Sequence, residues 1–153
     1  MLLVSIAAAS GVGTGSMVIN EVELGPSDSE VEWVELYNTG EDDVEISRWG
    51  VWIVDEEAPW TGIIMIPRDT VVPPKGFYLA EGDERWMHDD GECIVVLKTE
   101  GGEKVDKTSL LADDSSSDFT WSRYPDGADT DRKSDWYFTR ATPNAANEVG
   151  TVA

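Results

Sequence analysis

Histidine and cysteine are almost missing, with one of each in 153 residues. A lone cysteine excludes an intrachain disulfide, and Cys93 stands in the unbroken apolar run CIVVL, where it reads as a small core residue. The lone histidine, His88, has no second His or Cys at zinc-ligand spacing, which removes the common zinc sites. Basic residues are scarce too. Eleven Lys plus Arg stand against 31 Asp plus Glu, a formal charge of −20. Nucleic-acid affinity comes largely from Lys and Arg displacing condensed counterions, so a direct nucleic-acid or anionic-membrane partner is disfavoured. The apolar run at residues 2–9 is too short to span a bilayer, which excludes a transmembrane helix there. No window keeps apolar spacing of three, four and seven residues long enough for an amphipathic helix, and no internal repeat is detectable.

What remains is a chain of one ordinary domain's size that is 41% hydrophobic and carries seven tryptophans, enough to fold despite its charge. Short β-branched and aromatic runs recur between turn residues, and we place strands at 17–24, 31–38, 43–47, 50–55, 62–67, 76–81, 93–98, 104–109, 119–124 and 135–140. The punctuation is Gly, Pro, Asn and Asp at turn positions, as in GPSDS, NTGEDD, VPPKG and PDGADTD. The fold expected is all-β, a two-layer sandwich or barrel. Residues 1–16 read as a signal-peptide remnant or a flexible leader, residues 17–148 as the domain, and 149–153 as a flexible tail. The run at 2–9 has the length of an export signal's apolar core and is followed by small residues, but lacks a basic start. An extracellular or cell-surface location is expected, with the cytoplasm as the alternative. Gly11, Gly13 and Gly15 do not form a dinucleotide loop, because the following MVINEVEL alternates like a strand.

Candidate chemistry comes from three sets of residues. Within EVEWVELYN, Glu35 shares a strand face with Trp33 and Tyr37, so it is either solvated or partly buried with a cation or several hydrogen-bond donors; in the buried case Arg123 or Arg48 is the expected partner. Asp126, Asp129 and Asp131, with Gly127 for the turn, form the kind of loop that wraps an oxygen-seeking cation, here Ca²⁺; a solvated acidic loop is the competing account. No cofactor is required. Trp60 in EEAPWTG and Trp86 in DERWMHDD lie in polar surroundings and are expected to be exposed, either as sugar-stacking platforms or as anchors of a loop to the rim. No Ser, Cys or His sits in a nucleophile motif, and among 31 acids chance explains any carboxylate pair, so an enzyme is not expected.

The ordered landmarks resemble a known family. They are Ile19-Asn20-Glu21-Val22, Glu32-Trp33-Val34-Glu35-Leu36-Tyr37-Asn38, Ile46-Ser47-Arg48-Trp49, Pro73-Pro74-Lys75-Gly76-Phe77, Arg123-Tyr124-Pro125-Asp126-Gly127 and Thr142-Pro143-Asn144-Ala145-Ala146-Asn147. Together, over about residues 18–147, they are similar to the lamin tail domain of the microbial exported type. The resemblance implies an immunoglobulin-like β-sandwich without a catalytic centre, a module that binds or tethers a protein or cell-envelope component. A carbohydrate-binding module is the alternative. Two positions depart from the pattern: Arg48 and Asn144 stand where Gly is common, and Asn tolerates the left-handed backbone region better than most residues.

Overall fold

The computed structural model describes residues 16–27, 31–55, 61–82, 86 and 92–150. Among them the strands are β1 (Met17–Glu23), β2 (Trp33–Asn38), β3 (Val44–Glu45), β4 (Gly50–Asp55), β5 (Thr61–Met65), β6 (Val71–Val72), β7 (Phe77–Glu81), β8 (Cys93–Lys98), β9 (Lys104–Lys107), β10 (Phe119–Arg123) and β11 (Trp136–Arg140). A 3-10 turn, Lys133–Asp135, leads into β11. The strands form a five-stranded sheet in the order β11-β10-β1-β2-β7 and a four-stranded sheet in the order β5-β4-β8-β9, with β3 and β6 paired alongside; the named pairings are antiparallel. This is an immunoglobulin-like β-sandwich. Among the described residues no helix is long and apolar enough to cross a membrane.

Alternation explains the core. Val34 and Leu36 of β2 face Val51 and Ile53 of β4 and Val95 and Leu97 of β8 in one buried cluster. In β1 the alternation slips. Ile19 pairs with Leu36 but Glu21 pairs with Glu35, so Asn20 and Glu21 together oppose one residue of β2. Such a bulge moves the apolar set from Met17 and Ile19 to Val22 and Leu24 without turning the strand out of the core. It also delivers two polar side chains, Asn20 and Glu21, to the outer face beside Glu35.

The ten expected strands are present, most of them shorter by one to three residues, and the two-residue β6 joins them. Asn38 ties β6 down: its Nδ2 donates to the carbonyls of Asp42 (2.8 Å), Val72 (3.1 Å) and Pro73 (3.2 Å). Arg48 and Asn144 both adopt the left-handed region, at φ 62° and 58°. That conformation is the physical reason Gly suits these positions.

Candidate functional site

The expected Glu35–Arg123 ion pair is not formed, and Arg48 does not supply it either: Arg48 Nη1 lies 3.3 Å from Glu100 Oε1 at the surface. Arg123, the last residue of β10, is fully buried and serves three other carboxylates, Asp129 (3.2 Å), Asp106 (3.3 Å) and Asp135 (3.5 Å). Its Nε donates to Ile19 O (2.7 Å) and its Nη1 to Ala128 O (2.9 Å), while the guanidinium lies 4.4 Å from the Trp136 ring. Asp106 in turn accepts the Ile19 N–H at 2.8 Å, so one cation closes the gap between β1, β9 and the loop after β10. Burial pushes the Asp106 carboxyl up despite Arg123. Asp135 feels burial in the same direction, but donors from Thr130 and Arg132, with Arg123, hold it below the ordinary carboxylate value. The sequence hides this pairing because residues 126–131 read as a solvated loop and Asp135 as the start of a strand, whereas both Asp129 and Asp135 lie against Arg123.

Glu35 is nonetheless buried, at 0% exposure, as is Glu21 beside it. Their cover is the segment 141–148, which follows β11 and crosses the outer face of the first sheet. Glu35 Oε2 accepts the Asn144 N–H at 2.6 Å and its Oε1 lies 3.4 Å from Asn20 Nδ2. Glu21 accepts from Thr120 Oγ1 (2.7 Å), Thr142 N (2.7 Å) and Thr142 Oγ1 (2.9 Å). Asp126 accepts from Asn20 Nδ2 (3.0 Å) and Asn147 N (2.9 Å), and Asn20 Oδ1 accepts Gly127 N (2.9 Å). Asn147 closes the network by donating to Asn20 O and Arg123 O. The donors are neutral, so burial dominates: Glu35 is pushed up to about 8, with the Asn144 N–H opposing and the Glu21 charge adding to the rise, and Glu21 is raised for the same first reason. Gly127 is required here, because its φ is 75° and an added Cβ would stand 2.6 Å from Thr39 Cγ2.

A carboxyl with a raised pKa next to a second carboxylate is the arrangement general acids use. Here both groups are sealed beneath the 141–148 segment, and neither lines the cavity of about 200 Å³ beside Arg123 and Trp136 or the cleft along β11. Their hydrogen bonds hold the chain's end onto the sheet, a structural role.

The Ca²⁺ loop does not assemble as expected. Asp126 is spent on Asn20 and Asn147, Asp129 on Arg123 and the Asp131 N–H, and Asp131 has an exposed side chain. Among the described residues no three His, Cys, Asp or Glu side chains are arranged to hold a metal ion. Trp86 is a further correction: it is 1% exposed, packs in the main core and donates its Nε1–H to Val51 O at 3.2 Å. Polar neighbours in sequence hid an anchor that the fold turns inward. Trp60 and His88 lie outside the described residues.

Exposed aromatics gather instead at the β10–β11 end. Phe119 and Phe138 meet tilted at 59° with ring centroids 5.7 Å apart, and Phe138 lies 5.1 Å from half-buried Trp121. On the opposite side of the same hairpin Tyr124 and Tyr137 meet edge to face at 6.2 Å. Phe119, Phe138 and Tyr137 are 37%, 39% and 42% exposed. A cleft of about 320 Å³, lined by Phe119, Tyr137, Phe138, Thr139, Val149 and their neighbours, runs along β11.

The buried polar groups of this immunoglobulin-like sandwich hold its own chain, and exposed aromatic rings line its β10–β11 hairpin. The profile of the Lamin Tail Domain matches residues 12–113, more than half of the sequence, and the chain belongs to that family. The family is one of non-catalytic interaction modules. Among curated proteins, none matches the sequence. The matched residues span β1 to β9. The hairpin β10–β11 and the covering segment follow them, although β10 pairs directly with β1. Of the six stretches that suggested the family, four, INEV, EWVELYN, RYPDG and TPNAAN, converge in the two polar networks.

Proposed function

We propose that the chain is a non-catalytic tethering module that holds a protein or cell-envelope component outside the cell. The observation that carries this reading is the cleft along β11 lined by Phe119, Tyr137, Phe138 and Val149 on a body of charge −20, since exposed apolar surface on so acidic a domain marks an interaction site. The apolar run at residues 2–9 supports export, and the acidic surface suits a medium rich in salt or divalent cations. The same charge argues against nucleic acid as the direct partner. The test incubates the labelled chain with intact host cells, with protease-treated cells and with insoluble polysaccharides. Saturable retention on cells that protease treatment abolishes is expected. Retention on polysaccharide alone would replace this reading with carbohydrate binding, and absence of saturable retention on every surface would overturn both.

A further inference from the structure

β11 is an edge strand, and the phase of its ladder determines which backbone groups it leaves open. The Ala141 N–H donates to Asp118 O at 2.8 Å, which makes that facing pair a hydrogen-bonded one. In the register of β10 and β11, Thr120 with Thr139 and Ser122 with Tyr137 are then bonded pairs too. The alternate residues, Phe138 and Arg140, turn their N–H and C=O groups to the free edge. Among the described residues no other strand or loop backbone takes them up. An open row of donors and acceptors is a template for another strand.

The side chains beside that row differ on the two faces. On the core-facing side are the rings of Phe119 and Phe138. On the outer side are Tyr137 and the 147–150 segment, where the Thr139 hydroxyl bonds Glu148 O at 3.1 Å and the exposed Glu148 side chain faces solvent. Arg140, the basic residue of this edge, is already paired with Asp118 at 3.2 Å.

We infer that β11 is a docking edge for one extended segment of a partner protein, which adds as a strand and alternates aliphatic with basic side chains. This deepens the tethering reading and rests on it. Aliphatic side chains pack on Phe119 and Phe138, while Lys or Arg on the alternate face meets the Tyr137 ring and the Glu148 carboxylate in the field of a −20 body. The backbone bonds of Phe138 and Arg140 set the register.

The probe is an acetylated, amidated octapeptide of alternating Lys and Val, titrated into the ¹⁵N-labelled chain. Comparators are the Glu-Val octapeptide and a Lys-Val octapeptide N-methylated at alternate residues. Arg140→Pro deletes an N–H that faces the free edge, a position where strands accept proline. Expected are saturable binding of Lys-Val with the largest amide shifts at Phe138 and Arg140, weakening in high salt, and at least a tenfold loss with Arg140→Pro at unchanged Tm. Should that variant fail to fold, loss of binding by the N-methylated peptide carries the same information. Undiminished binding by folded Arg140→Pro or by the N-methylated peptide, equal binding of Glu-Val, or no saturable binding overturns the inference. In the cell assay, retention unaffected by Arg140→Pro refutes this edge alone, whereas failure of the unaltered chain refutes the tethering reading.

Discussion

Replacing Glu35 by Gln keeps the shape of the side chain and removes its ability to ionise, so the variant isolates the cost of a buried carboxylate. Glu35 has no exposed surface and is raised from the ordinary 4.5 to about 8. Between those values the unfolded chain has released the proton and the folded chain still holds it. Folding stability therefore falls as pH rises, by about 1.4 kcal/mol per unit. The stabilising contribution of the protonated group is fully present below pH 4.5 and is lost as pH passes about 8, an upper limit of ~5 kcal/mol. That is a large share of a domain's usual stability. Glu21, raised in the same direction, adds a slope of the same sign that the variant leaves in place. Urea unfolding at pH 4.5, 6 and 8 measures the difference. Glu35→Gln lies within about 1 kcal/mol of the parent at pH 4.5, because the Gln carbonyl still accepts the Asn144 N–H. At pH 8 it is the more stable by several kcal/mol. Parallel pH profiles for the two proteins, or a variant less stable at pH 8, would refute the account of Glu35 as a carboxyl sealed without a cation.

Arg123→Met leaves Asp106, Asp129 and Asp135 without their shared cation and costs about 3–5 kcal/mol in urea unfolding at pH 7, far more than loss of an exposed pair. Trp86→Phe, which keeps an aromatic ring but leaves a small cavity and loses the bond to Val51 O, costs about 1–3 kcal/mol, whereas an exposed platform would leave the unfolding midpoint unchanged. Gly127→Ala strains a φ of 75° and drives a methyl into Thr39, lowering stability by about 1–3 kcal/mol; an unchanged melt would contradict the packing of the RYPDG turn. Melts in EDTA and in micromolar Ca²⁺ superimpose, while molar KCl raises the Tm by screening the acidic surface; a rise specific to Ca²⁺ and lost in Asp126→Asn would restore the cation loop.

Strand positions were legible because runs such as GVWIVD and CIVVLK combine β-branched residues with turn signals at their ends. β6 was not, since two valines before a Pro-Pro turn carry no periodicity and are held by the distant Asn38 amide. Glu35 could be recognised as constrained from its place between Trp33 and Tyr37. Its neighbour Glu21 was overlooked, although the shift of apolar positions from Met17 and Ile19 to Val22 and Leu24 signals the bulge that turns it outward. Partners were the least legible. Burial of Glu35 and Glu21 depends on a segment more than a hundred residues away, and the cation of Arg123 is claimed by loop aspartates whose spacing also suits Ca²⁺. Trp86 shows the same limit from the apolar side, where local polarity says nothing about which way a single ring turns.

Amide hydrogen exchange of the free chain reads the open aromatic edge of β11 residue by residue. Slow exchange is expected at Tyr137 and Thr139, whose N–H groups bond β10, and fast exchange at Phe138 and Arg140, whose N–H groups face outward. Uniform protection across all four would mean that the edge of β11 is already covered and would contradict the claim.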